Sequence, residues 1–157
     1  MLIKYLTVFG ISMLPVLELR AAIPVALGMG LPLIPSYIIC ILGNMLPVPF
    51  IFFFARKVLE WGADKPLIGK LFTFFLNKGE KGGQKLIGKA GQSTYLALLL
   101  FVGIPIPGKG AWTGTLAASI LNLDFKKSVI AALGGVLLAG VIMAAASTGI
   151  FSLFHLF

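Results

Sequence analysis

Gly103-Ile104-Pro105-Ile106-Pro107-Gly108-Lys109-Gly110 breaks an apolar stretch that runs from 90 to 123. As one helix those 34 residues would be about 51 Å long, far more than a bilayer core about 30 Å thick requires. Two prolines remove backbone donors, three glycines permit turns and Lys109 adds a charge, which disfavours a straight helix. Each flanking arm has about 10–13 residues, enough for half of the membrane. The economical shape is a re-entrant hairpin over 91–123 that dips in and returns to the same face. Such non-helical backbone survives at membrane depth only when buried in protein or facing water. A kinked span of about 26 residues is the plainer alternative.

The first 30 residues have the same form: an apolar arm, then Leu14-Pro15-Val16-Leu17-Glu18-Leu19-Arg20, then AAIPVALGMG. They predict a second re-entrant hairpin over 1–30, with Pro24 bending its second arm. Between Arg20 and Arg56 lie 35 uncharged residues, and 30 follow Lys127. Spans are predicted at 34–56 and 127–150. Over the whole chain 59% of residues are hydrophobic and 11% charged, and the mean hydropathy is +1.03. A soluble domain carries about 25% charged residues, so this composition excludes an ordinary globule. Glu18 and Arg20 stand where a signal peptide would be cleaved, so no removed leader is expected.

The net charge of +8 points to an anionic membrane surface, because the apolar runs argue against a nucleic-acid partner. With both hairpins re-entrant, Arg56, Lys57, Lys65, Lys70, Lys78, Lys81, Lys85, Lys89, Lys126 and Lys127 share one face, against Lys4 on the other. The positive-inside rule makes that face cytoplasmic, placing 57–90 and 124–127 inside a cell inner (plasma) membrane that the chain crosses more than once. Within the basic linker 57–90, residues 66–76 predict either an interfacial helix or a solvated loop.

The halves also resemble one another. A shift of 90 places Pro15 on Pro105 and Ala21 on Ala111; one further residue places Leu42-Gly43-Asn44 on Leu133-Gly134-Gly135. The predicted fold is therefore an all-α integral membrane protein of two inverted repeats, 1–56 and 91–157. Each is a re-entrant hairpin followed by a transmembrane helix, a pattern that transporters use around a midplane site.

Glu18 is the one acidic residue outside the cytoplasmic blocks, and an intramembrane carboxylate is costly enough to suggest a proton-coupling role or a static pair with Arg20. Arg20 carries a planar fork suited to phosphate or carboxylate. Two residues apart on a helix, the two point about 200° apart. In the second tip Pro105, Pro107, Gly108 and Gly110 leave amides free ahead of a helix from Ala111, a place that attracts anions, with Lys109 adding charge. Substrate binding is thus expected from Arg20, Pro105, Pro107, Gly108, Lys109 and Gly110, joined by Trp112 and Thr113. Trp112 packs on a ligand or fills the bundle, and Thr113 is expected to bond its own backbone. Asn44 is expected to bond across helices or to gate, and Pro47 and Pro49 to kink the first span. The second tip lacks P-loop spacing. Cys40 and His155 are single, and no nucleophile with a base can be assembled within one chain. No enzyme activity, cofactor or metal site is expected.

Glu-Leu-Arg-Ala-Ala-Ile-Pro (18–24), Leu-Gly-Asn-Met-Leu-Pro-Val-Pro (42–49) and Gly-Ile-Pro-Ile-Pro-Gly-Lys-Gly-Ala-Trp-Thr-Gly (103–114) resemble the small multidrug export family. That family is similar to the DedA group, whose members have paired re-entrant hairpins and are associated with moving lipids or lipid carriers. Lys109 stands where the family usually has threonine. The resemblance implies a membrane transporter for a lipid headgroup, a lipid-linked phosphate carrier or a small amphipathic drug. The rival is a non-transporting structural or assembly factor whose buried polar groups only hold the hairpins. Two spans make a thin bundle, so a homodimer or higher oligomer is expected, with Gly134-Gly135, Gly140 and Ala144-Ala145-Ala146 packing on neighbouring helices.

Overall fold

The computed structural model describes residues 1–66, 69–70, 73, 77, 93–106 and 109–154. Among them seven helices are described in full: α1 (Leu2–Met13), α2 (Glu18–Gly28), α3 (Leu33–Met45), α4 (Pro47–Ala63), α5 (Ser93–Gly103), α6 (Ala111–Ile120) and α7 (Phe125–Phe154). Most of the linker 57–90, the greater part of the helix expected at 66–76, and the site candidates Pro107 and Gly108 lie outside the described residues.

The breaks follow from proline. Pro15 forces Leu14 into an extended conformation (φ −74°, ψ 138°), and α1 stops at Met13. Pro47 and Pro49 fall in the first turn of α4, where a missing N–H costs little, and Leu46 between the two helices keeps helical angles. Leu33–Ala55 is consequently one apolar run of 23 residues, and Phe125–Ile150 is another of 26; both are long enough to cross a membrane. Pro24 does not end its arm: α2 runs through it.

Both broken segments bring their ends together. Lys4 Nζ, near the start of α1, donates to the Met29 carbonyl just past α2 at 2.7 Å. The Asp124 amide, just past α6, donates to Tyr95 Oη near the start of α5 at 3.2 Å. The second arms also stop in the same way. Gly30 (φ +73°) and Asn122 (φ +52°) each take the left-handed position after the helix. The residues after them, Leu31 and Leu123, bond back to Ala26 and Ala118 at 3.0 Å.

Burial sharpens the internal likeness and corrects its register. Val8 and Ser12 of α1 correspond to buried Leu98 and Val102 of α5 at a shift of 90. Beyond the tips the shift is 92. Buried Glu18, Leu19, Ala22, Ile23 and Ala26 correspond to buried Gly110, Ala111, Gly114, Thr115 and Ala118. Likewise Ser36, Cys40, Gly43 and Asn44 correspond to buried Ser128, Ala132, Gly135 and Val136. The second tip is therefore two residues longer, and the sequence pairings of Ala21 with Ala111 and of Gly43 with Gly134 are each displaced. Close approach confirms the register. A Cβ on Gly43 would lie 2.7 Å from the Phe9 carbonyl oxygen, and one on Gly135 would lie 2.6 Å from that of Leu99.

The core is built from small side chains such as Ala22, Ala26, Ala118, Ala132 and Ala139, while Ile34, Ile38, Leu42, Phe50 and Ile130 point outward. Ile34 is 72% and Ile130 69% exposed. Soluble monomers do not tolerate apolar surface on this scale, whereas membrane helices associate through small residues that let backbones approach. The chain reads as a helical membrane protein.

Candidate functional site

The two breaks meet, and each closes the helix ends of the other. Glu18 opens α2 with φ +51°, a left-handed conformation that a residue other than glycine adopts only under local compulsion. Its side chain, 5% exposed, reaches the start of α6, where Oε1 accepts the Trp112 N–H at 3.2 Å. A Cβ on Gly110 would collide with that carboxylate, so only glycine leaves it room. Glu18 and Gly110 are equivalent positions of the two halves, and one side chain fills the space of both. The carboxylate thus holds the anion-attracting helix start that the sequence assigned to a substrate.

Arg20 does the converse for the end of α5. Its guanidinium donates to the Val102 and Ile104 carbonyls at 3.1 Å each, and also to the carbonyls of Ile106 and Lys109. Val102 is an acceptor that the terminating helix leaves without a donor, the other three follow it in the tip, and a planar fork can serve several at once. Trp112, the position equivalent to Arg20, reciprocates. Its indole Nε1 donates to the carbonyl of Met13, the last residue of α1, at 3.0 Å. A negative group therefore faces a helix start and donors face two helix ends, each in the sense the helix dipole favours.

The remaining candidates divide. Pro105 is half-buried in the second tip. Thr113 Oγ1 accepts the Gly110 N–H at 2.9 Å and stays with its own backbone. Lys109 joins the site through its carbonyl, while its ammonium lies 5.9 Å from the centroid of the Phe101 ring. Arg20 and Lys109 thus meet as a guanidinium on a backbone oxygen. Asn44 is fully buried, and neither side-chain atom has a hydrogen-bond partner; the Thr115 hydroxyl and Arg20 Nε are likewise unpartnered. Gly134, Gly135 and Gly140 seat Leu99, Val102 and Tyr37 of the same chain, leaving Ala145 and Ala146 exposed.

Beside the clamp lies a groove of about 650 Å³ between the first tip, α4 and α6. Val16, Phe50, Phe54, Val58 and Leu116 line it together with Trp112. Its volume is that of small-molecule sites, and its walls are apolar as such sites are. The sequence reading missed it. The signal was present in Phe50, Phe54 and Val58, spaced four apart along one face of α4.

Among the described residues no group of three His, Cys, Asp or Glu side chains could hold a metal ion. No curated protein and no solved structure matches the chain. One family profile does match, over residues 18–142, a stretch that carries Glu18, Arg20, the second tip, Trp112 and the α4 wall of the groove. On that match, which covers well over half of its length, the chain belongs to the small multi-drug export protein family.

Proposed function

We propose that the protein is a proton-coupled membrane exporter whose cargo is an amphipathic molecule with an anionic end: a lipid headgroup, a lipid-linked phosphate carrier or a small drug. The observation that carries this reading is the apolar groove lined in part by Trp112, the residue whose amide Glu18 holds. In this scheme the cargo's apolar body lies against Phe50, Phe54 and Leu116. A proton binds the Glu18 carboxylate and weakens its hold on the start of α6, and the cargo's anion takes the vacated amides. Loss of the proton restores the clamp and expels the anion. The two broken segments act as re-entrant hairpins of an inverted repeat, a reading supported by their closed ends and by the recurring burial pattern. Residues 57–90 and 124–127 face the cytoplasm across an inner membrane that the chain spans more than once, which the lysine distribution supports.

Purified protein in liposomes should move labelled phospholipid, carrier phosphate or an anionic dye faster with an imposed pH gradient than without one. Inactivity toward all three, with Glu18→Gln folded and functional in cells, would sink the exporter and leave the assembly factor. That rival draws its support from the clamp itself, where Glu18, Arg20 and Trp112 are all engaged in closing helix ends. An export role calls for no catalytic group.

A homodimer is proposed as the working unit, because this bundle leaves wide lipid-facing surfaces beside its broken helices. With Gly134, Gly135 and Gly140 engaged within the chain, α7 offers Ala145, Ala146 and Gly149 as the close-contact surface. Mass measurement in a mild, lipid-retaining detergent should give twice 16.7 kDa, and a monomer would refute it.

A further inference from the structure

We propose a second site, remote from the clamp, that holds an anionic phospholipid where α5 and α7 begin. A crevice of about 370 Å³ separates these helices. Leu96, Leu99, Ile130 and Ala131 form its walls, with Tyr95 and Lys127 among them as the polar lining residues. Lys127 Nζ lies 5.7 Å from the centroid of the Tyr95 ring, so cation and phenol stand together. An acyl chain fits the walls, and a phosphate fits Lys127 with Lys126 beside it.

Charge and helix direction agree on the sign of the ligand. Lys126 and Lys127 occupy the first turn of α7, the end where a helix dipole repels cations and attracts anions. One carboxylate is nearby: Asp124, whose Oδ1 accepts the Lys127 N–H at 2.9 Å. Two cations against one anion leave the corner positive. A bound phosphate would satisfy both lysines and the helix start.

The fold itself does not require these lysines. At the shift of 92, Lys126 and Lys127 correspond to Ile34 and Pro35, which begin α3 in the equivalent place without charge. Tyr95 and Leu96 correspond to Tyr5 and Leu6 at the shift of 90, so the walls recur while the cations do not. The charged crevice is a feature of the second half alone. Lysines at a cytoplasmic helix end also set topology, but topology needs no lipid-shaped crevice between them and a tyrosine.

The test is lipid retention by the whole protein, measured by native mass spectrometry with phosphatidylglycerol, phosphatidylcholine or glycerol 3-phosphate added. Each lysine near an anionic lipid surface favours binding enough that two give about thirtyfold preference for phosphatidylglycerol over phosphatidylcholine. Lys126→Gln with Lys127→Gln should abolish that preference. Lys57→Gln with Lys65→Gln, the same charge change on exposed lysines elsewhere, should keep it. Tyr95→Phe retains the wall and checks that the crevice survives, with helical content followed by circular dichroism. Equal retention of both lipids refutes the site, as does equal loss in the two double variants. Binding of glycerol 3-phosphate as tight as that of phosphatidylglycerol would replace the lipid with a free phosphate ester and overturn the proposal.

Discussion

Arg20→Ala is expected to lower stability by about 1–3 kcal/mol, because the buried Val102 carbonyl at the end of α5 loses its donor and an unpaired buried acceptor costs about that much. Local geometry offers no substitute. The Ile104, Ile106 and Lys109 amides already bond the Leu100, Ile104 and Ile106 carbonyls, so Ile104 and Ile106 keep a backbone donor while none of these amides is free for Val102. Arg20→Lys should recover only part of the loss, since an ammonium is a point on a flexible stem and cannot span acceptors from Val102 to Lys109. Unfolding in mixed micelles at constant pH, followed by helical circular dichroism, measures both variants. An alanine variant as stable as the parent would mean that the second tip closes without help from the first.

Glu18→Gln is expected to remove the pH dependence of anion binding. Glu18 and Arg20 give the site a net charge near zero when the carboxylate is ionised and +1 when it is protonated, with the Lys109 ammonium apart, beside the Phe101 ring. Anion affinity should therefore rise as pH falls through the titration of Glu18, and a cationic cargo should show the reverse. A unit charge within a few ångströms changes affinity about tenfold or more at an effective dielectric constant near 20. Glutamine keeps the shape and one acceptor oxygen but no charge, so its profile should be flat and near the acid limit of the parent. The clamp runs in the opposite sense: an ionised cap stabilises the start of α6 by about 0.5–2 kcal/mol, and that share is lost on protonation. Binding of a fluorescent anionic amphiphile across pH decides the matter. A flat parent profile, or an unchanged one in the variant, removes Glu18 from the charge balance.

The α3–α4 and α7 regions were legible in advance because crossing a bilayer demands long apolar runs, and Leu33–Ala55 and Phe125–Ile150 supply them. The breaks were legible for a similar reason. Proline at 15, 47, 49 and 105 acts on its own neighbours through sterics and a missing N–H, which no tertiary contact is needed to enforce. The start of α6 at Ala111 followed from the same local chemistry.

Pro24 lies inside α2, which runs through it while packed on α1, α3 and α7. Register shows the limit of local logic. Sequence identity between the halves is thin, and the two extra residues of the second tip emerged only when burial on both sides could be compared. The reach of the polar side chains was beyond the sequence altogether. Glu18 and Arg20 stand two apart and would diverge on a regular helix, but the left-handed Glu18 (φ +51°) lets both reach the second tip. That one would close the start of α6 and the other the end of α5, while Trp112 closed α1 in return, depended on how the two broken segments met. Helix breaks are written in the dihedral preferences of single residues; the partners of the backbone groups those breaks expose are set by packing between segments about ninety residues apart, and only the folded chain brings them within hydrogen-bond reach.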